Sequence, residues 1–238
     1  MLTAKPYLRE ISIHPDAEFD ESDYPFSIPA VANMKSIMPH ADVTFFVGEN
    51  GAGKSTILEA IAVAMDLPSE GGHRGMHREE QDVSSLQDCL KLVKSFRKPR
   101  SAFFLRAESL FNVATFYENA GSEARGNLHN RSHGEAFMDL MLGFNPGGLY
   151  LLDEPEAALS PSRQLAALSA IHNLVQQDCQ FIIATHSPIL LSYPNAKILL
   201  FDDAGITEVA YEDTEHFAIT RDFLNHYQNR LARLLADD

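Results

Sequence analysis

The stretch GENGAGKST, residues Gly48 to Thr56, decides the fold because it joins two segments with different patterns. Before it, DVTFFV over 42–47 is a short apolar run of the kind that forms a buried parallel strand. After it, the residues from Ser55 to Asp66 have the pattern of a helix that stops before Pro68. The sequence therefore predicts a strand, a glycine-rich loop and a helix in direct succession.

This loop matches the pattern Gly-x-x-x-x-Gly-Lys-Ser, and each defining residue has a physical reason. Its glycines let backbone N–H groups turn toward phosphate oxygens, and the helix that follows adds its positive N-terminal end. Lys54 is expected to bridge the β- and γ-phosphates of a nucleoside triphosphate, and the Ser55 hydroxyl to bind Mg²⁺. A plain glycine turn is the alternative, but the strand–loop–helix setting favours a phosphate loop. The expected nucleotide contacts are Gly48, Glu49, Asn50, Gly51, Ala52, Gly53, Lys54, Ser55 and Thr56.

Composition limits the class of protein. The 238 residues are 45% apolar, which is enough for one α/β domain with a full core. The apolar runs are too short to span a bilayer and the start does not resemble a secretory signal, so we expect a cytoplasmic protein. Cys89 and Cys179 have no partner spacing and fit buried reduced thiols. The net charge of −14 restricts any nucleic-acid contact to a local patch.

Strand patterns alternate with helix patterns along the chain, which predicts a largely parallel sheet with helices on both faces. Strands are expected at YLREISI, DVTFFV, SAFFLR, GLYLLDE, QFIIATHS and KILLFDD, with a turn at Gly205 into ITEVAY. Helices are expected over 55–66, 84–98, 108–119, 161–177 and 220–235, and from about Ser132 onward.

An acidic pair ends one of these strands. In GLYLLDE an apolar run carries Asp153 and Glu154 to the tip of the strand. Asp153 is placed to hold Mg²⁺ through its water shell, and Glu154 to polarise an attacking water as a general base. Two carboxylates after an apolar strand are often only a solvated strand end. The phosphate loop earlier in the chain favours the catalytic interpretation.

Three further stretches, SHGEAF, DEPEAALSP and FIIATHS, complete a set of motifs. With them the chain resembles the ATP-binding-cassette (ABC) class of P-loop ATPases, and in particular the short soluble bacterial proteins labelled predicted AAA-family ATPases. It is more distantly similar to the ATPase heads of DNA-repair and chromosome-maintenance proteins. The resemblance covers essentially the whole chain, with phosphate loop, signature, acidic strand and switch histidine in the order of the class.

The resemblance implies roles for residues outside the phosphate loop. In the class, a signature segment opens a helix that contacts the γ-phosphate bound to a second subunit. Ser132 matches the signature serine, Gly134 allows close backbone approach, and His186 matches the switch histidine that reaches the γ-phosphate. The implied organisation is one ATPase domain, 1–238, with a helical signature lobe inserted at about 68–143. Ser132 is alternatively an ordinary helix cap, with Glu135 completing a capping box.

Some positions depart from the class. SHGEAF differs from the commoner transporter signature LSGGQ, and Ser160 stands where transporters more often carry Asp. The Mg²⁺-contacting Gln that usually follows the strand corresponding to SAFFLR is missing, and Glu108 is the nearest candidate to replace it. The aromatic residue that stacks on adenine in the class is not identified by the sequence.

A basic stretch, KLVKSFRKPR, lies between the phosphate loop and the signature. On the expected helix over 84–98, Lys91, Lys94 and Lys98 line the face opposite the apolar residues. This face is either simply solvated or a contact for nucleic acid or an acidic partner protein. His73 and His77 are spaced like a metal pair, but their glycine-rich surroundings favour a loop instead.

The sequence thus predicts an Mg²⁺-dependent ATPase that forms an ATP-sandwiched homodimer, with a switching or mechanical role on nucleic acid or a partner protein. The interval between Lys54 and Ser132 is too short for the coiled-coil arms of chromosome-maintenance proteins. Two alternatives stay open: the ATPase subunit of a membrane transporter, and an ATP-gated binding module with negligible turnover. The departures in the signature weigh against the transporter, and the presence of Glu154 weighs against a module without turnover.

Overall fold

The structure, a computed structural model, describes residues 5–74, 84–119 and 131–236. Its main element is a seven-stranded sheet with the strand order β3-β5-β6-β7-β2-β8-β9. Strands β5, β6, β7, β2 and β8 are parallel to one another, and β3 and β9 add antiparallel edges. The strands are β2 (Val43–Gly48), β3 (Gly72–His73), β5 (Ser101–Arg106), β6 (Gly148–Asp153), β7 (Gln180–Ala184), β8 (Lys197–Asp202) and β9 (Gly205–Val209).

Helices cover both faces of this sheet. Successive side chains of β2 point to opposite faces, so Phe45 and Val47 belong to one hydrophobic core and Phe46 to the other. The first core is closed by α4, α5, α6 and α7, and the second by α1, α2 and α3. The predicted mostly parallel α/β fold is confirmed. The helices are α1 (Pro29–Ala32), α2 (Lys54–Ala64), α3 (Leu86–Cys89), α4 (Leu110–Asn119), α5 (His133–Leu142), α6 (Pro161–Val175), α7 (Pro188–Leu191) and α8 (Glu215–Leu234).

A second, two-stranded sheet corrects one prediction. The segment 84–98 is not one helix: after the single turn of α3 the chain continues as β4 (Leu90–Lys94), which pairs antiparallel with β1 (Leu8–Ile13). Leu90 and Leu92 pack against the second core, while Lys91 is exposed. Pairing with a strand some 80 residues away stabilises an extended conformation that helical spacing alone does not indicate.

The last helix, α8, begins at Glu215, five residues before its predicted start at Thr220. Thr214 caps it, accepting a hydrogen bond from the Phe217 N–H at 3.3 Å. None of its 20 residues is fully buried, and the apolar residues Ile219, Leu224, Leu234 and Leu235 are each more than 60% exposed. The helix therefore meets the body of the protein mainly through its first turns.

The inserted lobe at 68–143 stays a prediction. Within that range β3 and β5 lie in the central sheet and β4 pairs with β1, while α4 and α5 are helical. His77 of the suggested histidine pair lies outside the described residues, as do 75–83 and 120–130. No helix in the described part of the chain is long and apolar enough to cross a bilayer.

Candidate functional site

Three neighbouring parallel strands bring the predicted motifs to one edge of the sheet. Strands β6, β7 and β2 are adjacent and end in Asp153, Ala184 and Gly48, respectively. Backbone hydrogen bonds hold their ends in register: the Glu154 N–H donates to the Ala184 carbonyl at 2.9 Å, and the Thr185 N–H to the Phe46 carbonyl at 3.1 Å. The carboxyl edge of a parallel sheet is where α/β folds bind ligands.

The phosphate loop is wrapped around its own lysine. Lys54 Nζ donates to the carbonyl oxygens of Gly48 and Glu49, both at 2.8 Å. Gly48 has φ = 143°, and a Cβ there would lie 2.2 Å from the Phe201 carbonyl oxygen, so only glycine fits beside β8. The loop therefore has the curved backbone that can point N–H groups at an anion.

Lys54 is only 4% exposed. Burial lowers the pKa of its ammonium group, and the carboxylates of Glu154, Asp153 and Glu156 act in the opposite direction. The buried Lys54 ammonium is thus surrounded by polar groups, namely three carboxylates and two carbonyl oxygens. Such a cation is suited to bind a more negative ligand.

Ser55 and Asp153 form the next layer of the site. The Ser55 hydroxyl donates to Asp153 Oδ1 at 2.9 Å, so the first turn of α2 touches the end of β6. Asp153 is 4% exposed, and burial raises its pKa to about 6, although the Ser55 hydrogen bond and the nearby Arg106 cation lower it. Arg106 Nε lies 3.4 Å from Asp153 Oδ2, and Arg106 Nη1 lies 2.6 Å from Glu59 Oε2.

The oxygen donors of Ser55 and Asp153 fit a hard divalent cation such as Mg²⁺. Within the described ranges no three His, Cys, Asp or Glu side chains are grouped to hold a metal ion. A Mg²⁺ site usually takes one or two protein ligands and completes its shell with water and substrate phosphates.

Glu154 and His186 lie next to this pair. Glu154 has a left-handed backbone, φ = 47°, a conformation rare for residues other than glycine and often kept at functional sites. His186 Nε2 is 3.6 Å from Glu154 Oε1, and the Glu154 side chain is 38% exposed, so water can reach it. Burial, and then the charge of Lys54, lower the pKa of His186.

Sequence reasoning missed several residues of this edge. The Glu156 carboxylate accepts hydrogen bonds from the Thr185 hydroxyl at 2.7 Å and from the backbone N–H of His186. Burial raises the Glu156 pKa. Arg106 closes the other side, beside Asp153. Only its position at the end of β5, beside the end of β6, could have indicated it, and strand order is not visible in the sequence.

A cleft of about 1020 Å³ opens beside the loop, and the first turns of α8 line its far wall. His216 comes from this wall, and its Nε2 is 3.0 Å from His186 Nδ1. The sequence placed His216 before the helix, so nothing indicated this contact. The exposed Tyr24 side chain, from the segment before β2, also contacts the phosphate loop: its hydroxyl lies 3.1 Å from the Thr56 hydroxyl.

The signature residues lie at the N-terminus of α5. Ser132 caps the helix in a full capping box with Glu135: its hydroxyl accepts from the Glu135 N–H at 3.4 Å, and its backbone N–H donates to Glu135 Oε2 at 2.9 Å. The Arg163 guanidinium donates to the Ser132 hydroxyl at 3.1 Å. A Cβ at Gly134 would lie 2.8 Å from the Ala158 carbonyl oxygen, so α5 approaches the turn before α6 closely.

The structure does not bring this helix end together with the phosphate loop. Neither Ser132 nor Gly134 is among the described residues that line the cleft, and α5 packs against α4 and α6. Glu108, in contrast, is exposed but close enough for its charge to raise the pKa of Asp153. Ser160 occupies the N-cap position of α6 but makes no side-chain capping hydrogen bond; its hydroxyl lies 3.2 Å from that of Ser162, on the surface.

Comparison with known proteins gives two family matches. Residues 30–101 match a family described as an AAA domain. Residues 136–192 match a second AAA-domain family, whose description also refers to the AbiEii toxin of a type IV TA system. The first match contains the phosphate loop, and the second contains the acidic strand and His186.

Curated relatives include a translation initiation factor and ATP-binding proteins of transport systems. A translation initiation factor of Saccharomyces cerevisiae is 26% identical over 68% of this chain, which spans 27% of that protein's length. An ABC transporter ATP-binding protein of Methanocaldococcus jannaschii is 21% identical over 76% of this chain and 90% of its own. A hemin import ATP-binding protein of Pseudomonas aeruginosa is 26% identical over 66% and 71%, respectively.

Similar solved structures include the SMC head domain from Thermotoga maritima, with a TM-score of 0.47 and 15% identity over 85% of this chain and 99% of that one. The cbiO1 protein of Clostridium perfringens, part of an ABC transporter complex, has a TM-score of 0.44 and 16% identity over 82% and 87%.

Proposed function

We propose that the chain is a P-loop ATPase of the ABC class, which binds ATP and hydrolyses it to ADP and phosphate with Mg²⁺. The observation that carries the proposal is the contact between Ser55 and Asp153, 2.9 Å apart, beside the buried ammonium of Lys54. A cation, a hydroxyl and a carboxylate thus lie together near the ends of β2 and β6, the groups that a triphosphate and its metal ion require.

Binding is assigned to the loop from Gly48 to Thr56. Its N–H groups and the N-terminus of α2 hold the phosphates, and Lys54 exchanges the Gly48 and Glu49 carbonyls for phosphate oxygens. Ser55 and Asp153 would hold Mg²⁺, which would neutralise phosphate charge. Arg106 lies between Glu59 and Asp153 and pairs with both carboxylates.

Hydrolysis is assigned to Glu154 and His186. Glu154 accepts a proton from a water whose oxygen attacks the γ-phosphorus, and the bond to the β–γ bridging oxygen breaks, leaving ADP and phosphate. The partly exposed Glu154 carboxylate is open to that water. His186, held next to it through the Glu156 contact to its backbone, binds the γ-phosphate.

A second copy of the chain is proposed to complete the site. The N-terminus of α5 carries Ser132 and Gly134. Neither residue lines the cleft that opens beside the phosphate loop of the same chain. Presented by a partner, the same helix end offers N–H groups to a γ-phosphate, and two-fold symmetry makes two such sites at once. ATP then holds the two copies together, and hydrolysis loosens them.

The proposed cellular role is a switching or mechanical one in the cytoplasm, on nucleic acid or a partner protein. The basic stretch is the candidate contact, but its geometry differs from the predicted helix face. Lys91 and Lys94 lie on opposite faces of β4, and Lys94 Nζ donates to the Ala64 carbonyl at the end of α2. Of the three lysines, Lys91 and Lys98 are exposed and do not share the contact that Lys94 makes with Ala64.

The second candidate is the ATPase subunit of a transporter. Relatives whose names place them in import systems favour it, such as the hemin import protein of Pseudomonas aeruginosa. The serine-histidine signature and the missing Gln after β5 weigh against it. Co-purification with a membrane protein from the native host, in detergent, would favour this candidate over the first.

The proposed function is tested by ATPase assays on the wild type and on Glu154→Gln. We expect Mg²⁺-dependent phosphate release by the wild type and at least a roughly hundredfold lower rate for Glu154→Gln, because a general base contributes that much or more. ATP binding by the variant should be unchanged. Glu208→Gln, at an exposed carboxylate of β9 that pairs with Lys197, is the control for the loss of a negative charge. A wild-type rate in Glu154→Gln would show that another group is the base.

A further inference from the structure

We propose that His216 is a positioning residue, which holds the His186 imidazole in the tautomer that carries its proton on Nε2. That atom is the one that faces Glu154. The proposal rests on the proposed function, because it deepens the role of His186 in the same site. It also links the start of α8 to the reacting groups.

The geometry of the two rings is specific. His186 Nδ1 and His216 Nε2 are 3.0 Å apart, and the rings are tilted by 55° with their centroids 5.1 Å apart. This is a hydrogen bond and not a stacking contact. In a neutral imidazole one nitrogen donates and the other accepts, so one of the two residues must donate to the other.

The surroundings of both rings favour their neutral forms. Burial lowers the pKa of each, the Lys54 ammonium lowers both further, and for His216 the neighbouring His186 does so too. The carboxylates that act in the opposite direction are Glu154 for His186, and Glu156 and Glu215 for His216.

The other nitrogen of His186 decides the direction of the bond. His186 Nε2 is a buried atom with no hydrogen-bond partner, and the Glu154 carboxylate oxygen is 3.6 Å from it. An ionised carboxylate only accepts, and so does a phosphate oxygen. A proton on Nε2 gives an N–H facing these acceptors, whereas a lone pair there would face other lone pairs. Nδ1 is then the acceptor, and His216 must donate from its Nε2.

His216 is held firmly enough for this role. It lies in the first turn of α8, where the Thr214 hydroxyl donates to the Tyr211 carbonyl at 2.7 Å. The Tyr211 hydroxyl donates to the Pro188 carbonyl, also at 2.7 Å, and its ring packs on Phe217 with the centroids 4.5 Å apart. Pro188 follows His186 by two residues, so the hydrogen bond from the Tyr211 hydroxyl also links the chain segments that carry the two histidines.

Loss of His216 should therefore affect the chemical step more than binding. Without the His216 donor, the His186 ring is free to rotate or to take the tautomer with its proton on Nδ1. In that tautomer the Nε2 lone pair repels the Glu154 carboxylate and the phosphate oxygens. The phosphate loop and the Mg²⁺ ligands are untouched, so the affinity for ATP should change much less than the rate of the chemical step. This pattern separates a positioning role from a structural one.

The first test measures kcat and KM for ATP in three variants. His216→Ala removes the donor, His216→Gln keeps an N–H donor, and His226→Ala removes an exposed histidine of the same helix that contacts Asp222. We expect kcat to fall about tenfold in His216→Ala with a much smaller change in KM, as the loss of one hydrogen bond allows. His216→Gln and His226→Ala should stay near the wild-type rate, and free imidazole should partly restore His216→Ala. Equal losses in His216→Ala and His216→Gln, or none in either, would overturn the proposal.

The second test does not require turnover. The nitrogen-15 spectrum of the ligand-free protein reports the tautomer of each histidine, and His186→Asn identifies the signals of His186. We expect the Nε2–H form in the wild type and in His216→Gln, and a mixture of forms in His216→Ala. An Nδ1–H form of His186 in the wild type contradicts the proposal. If the wild type does not hydrolyse ATP, the proposed function fails, while this measurement still decides the role of His216.

Discussion

The phosphate-loop edge of the sheet and the N-terminus of α5 contain the two halves of the proposed site, and they differ most clearly in burial. Lys54 and Asp153 are each 4% exposed and lie among hydrogen-bonded or charged neighbours. Ser132 is exposed, and the Glu135 side chain that completes its capping box is 52% exposed. One half is buried in the core of the domain, and the other lies on its surface.

This difference indicates how the two halves would work. Buried groups whose neighbours fix them can receive a ligand without rearrangement, which is what a binding site for a triphosphate needs. An exposed helix end can present N–H groups of its first turn to a ligand held by another chain. We therefore expect changes at the buried half to act on binding and turnover in each copy, and changes at the exposed half to act on association.

The largest expected effect is at Lys54. Lys54→Ala removes the buried cation and should weaken ATP binding by about a hundredfold or more, because hydrogen bonds to charged groups contribute about 1.5–3 kcal/mol each. Ser132→Arg, at the exposed half, should leave ATP binding by the isolated chain nearly unchanged. Equilibrium binding of a fluorescent ATP analogue measures both.

Circular dichroism of both variants serves as the control for folding. If Ser132→Arg weakened binding as strongly as Lys54→Ala, the two halves would not be separate, and α5 would act on the nucleotide of its own chain.

A smaller effect is expected in the pH dependence of stability, and it should come from the buried half. The folded-state pKa values of His186 and His216 are lowered from 6.5, so the unfolded chain binds protons more readily than the folded one. Their contribution is complete above pH 6.5 and is lost as the pH falls below it. Urea unfolding from pH 8 to pH 5 should show a smaller loss of stability in His216→Gln than in the wild type.

Asp153 and Glu156 act in the opposite direction, because burial raises their pKa values and favours their neutral forms. Their contribution is the same in both proteins, so the difference between wild type and variant isolates the histidine. Parallel curves for the two proteins would show that His216 is protonated as easily in the folded state as in the unfolded one.

The smallest expected effect lies outside both halves. If Lys91 and Lys98 contact nucleic acid, changing both to Glu should weaken binding and lower the dependence of the affinity on salt by about two phosphate contacts. Lys35→Glu, at an exposed lysine elsewhere, is the control. Filter binding or fluorescence anisotropy at several salt concentrations measures this. Unchanged binding in the double variant would place the contact elsewhere, and no binding at low salt would favour a protein partner.

The sequence predicted the parts of the fold that depend on local pattern. The loop Gly48–Thr56, the strand before Asp153 and the helix that Ser132 caps are confirmed as elements, because glycine turns, apolar runs and caps each act over a few residues. The segment 84–98 failed for the opposite reason. Leu90, Lys91 and Leu92 alternate as in a strand, but three residues are too few to indicate one, and the long-range pairing with β1 decided the conformation.

The candidate site divides in the same way. Lys54, Ser55 and Asp153 could be predicted because they occupy defined positions in sequence motifs. The hydrogen bond between Ser55 and Asp153, which are 98 residues apart, follows from parallel strands that end at the same edge of the sheet. Arg106 and His216 could not be predicted, because neither belongs to a pattern. Their roles arise from strand order and from the docking of α8, which no short stretch of sequence specifies.

The central claim is that ATP joins two copies of this chain, and sedimentation of Glu154→Gln tests it most directly. The account predicts a monomer without nucleotide and with ADP, and a dimer with Mg²⁺ and ATP, since this variant keeps the triphosphate intact. Adding Ser132→Arg to the same protein should abolish the dimer and leave ATP bound. A sedimentation coefficient that does not change with ATP, or a dimer that persists with Ser132→Arg, would contradict the account.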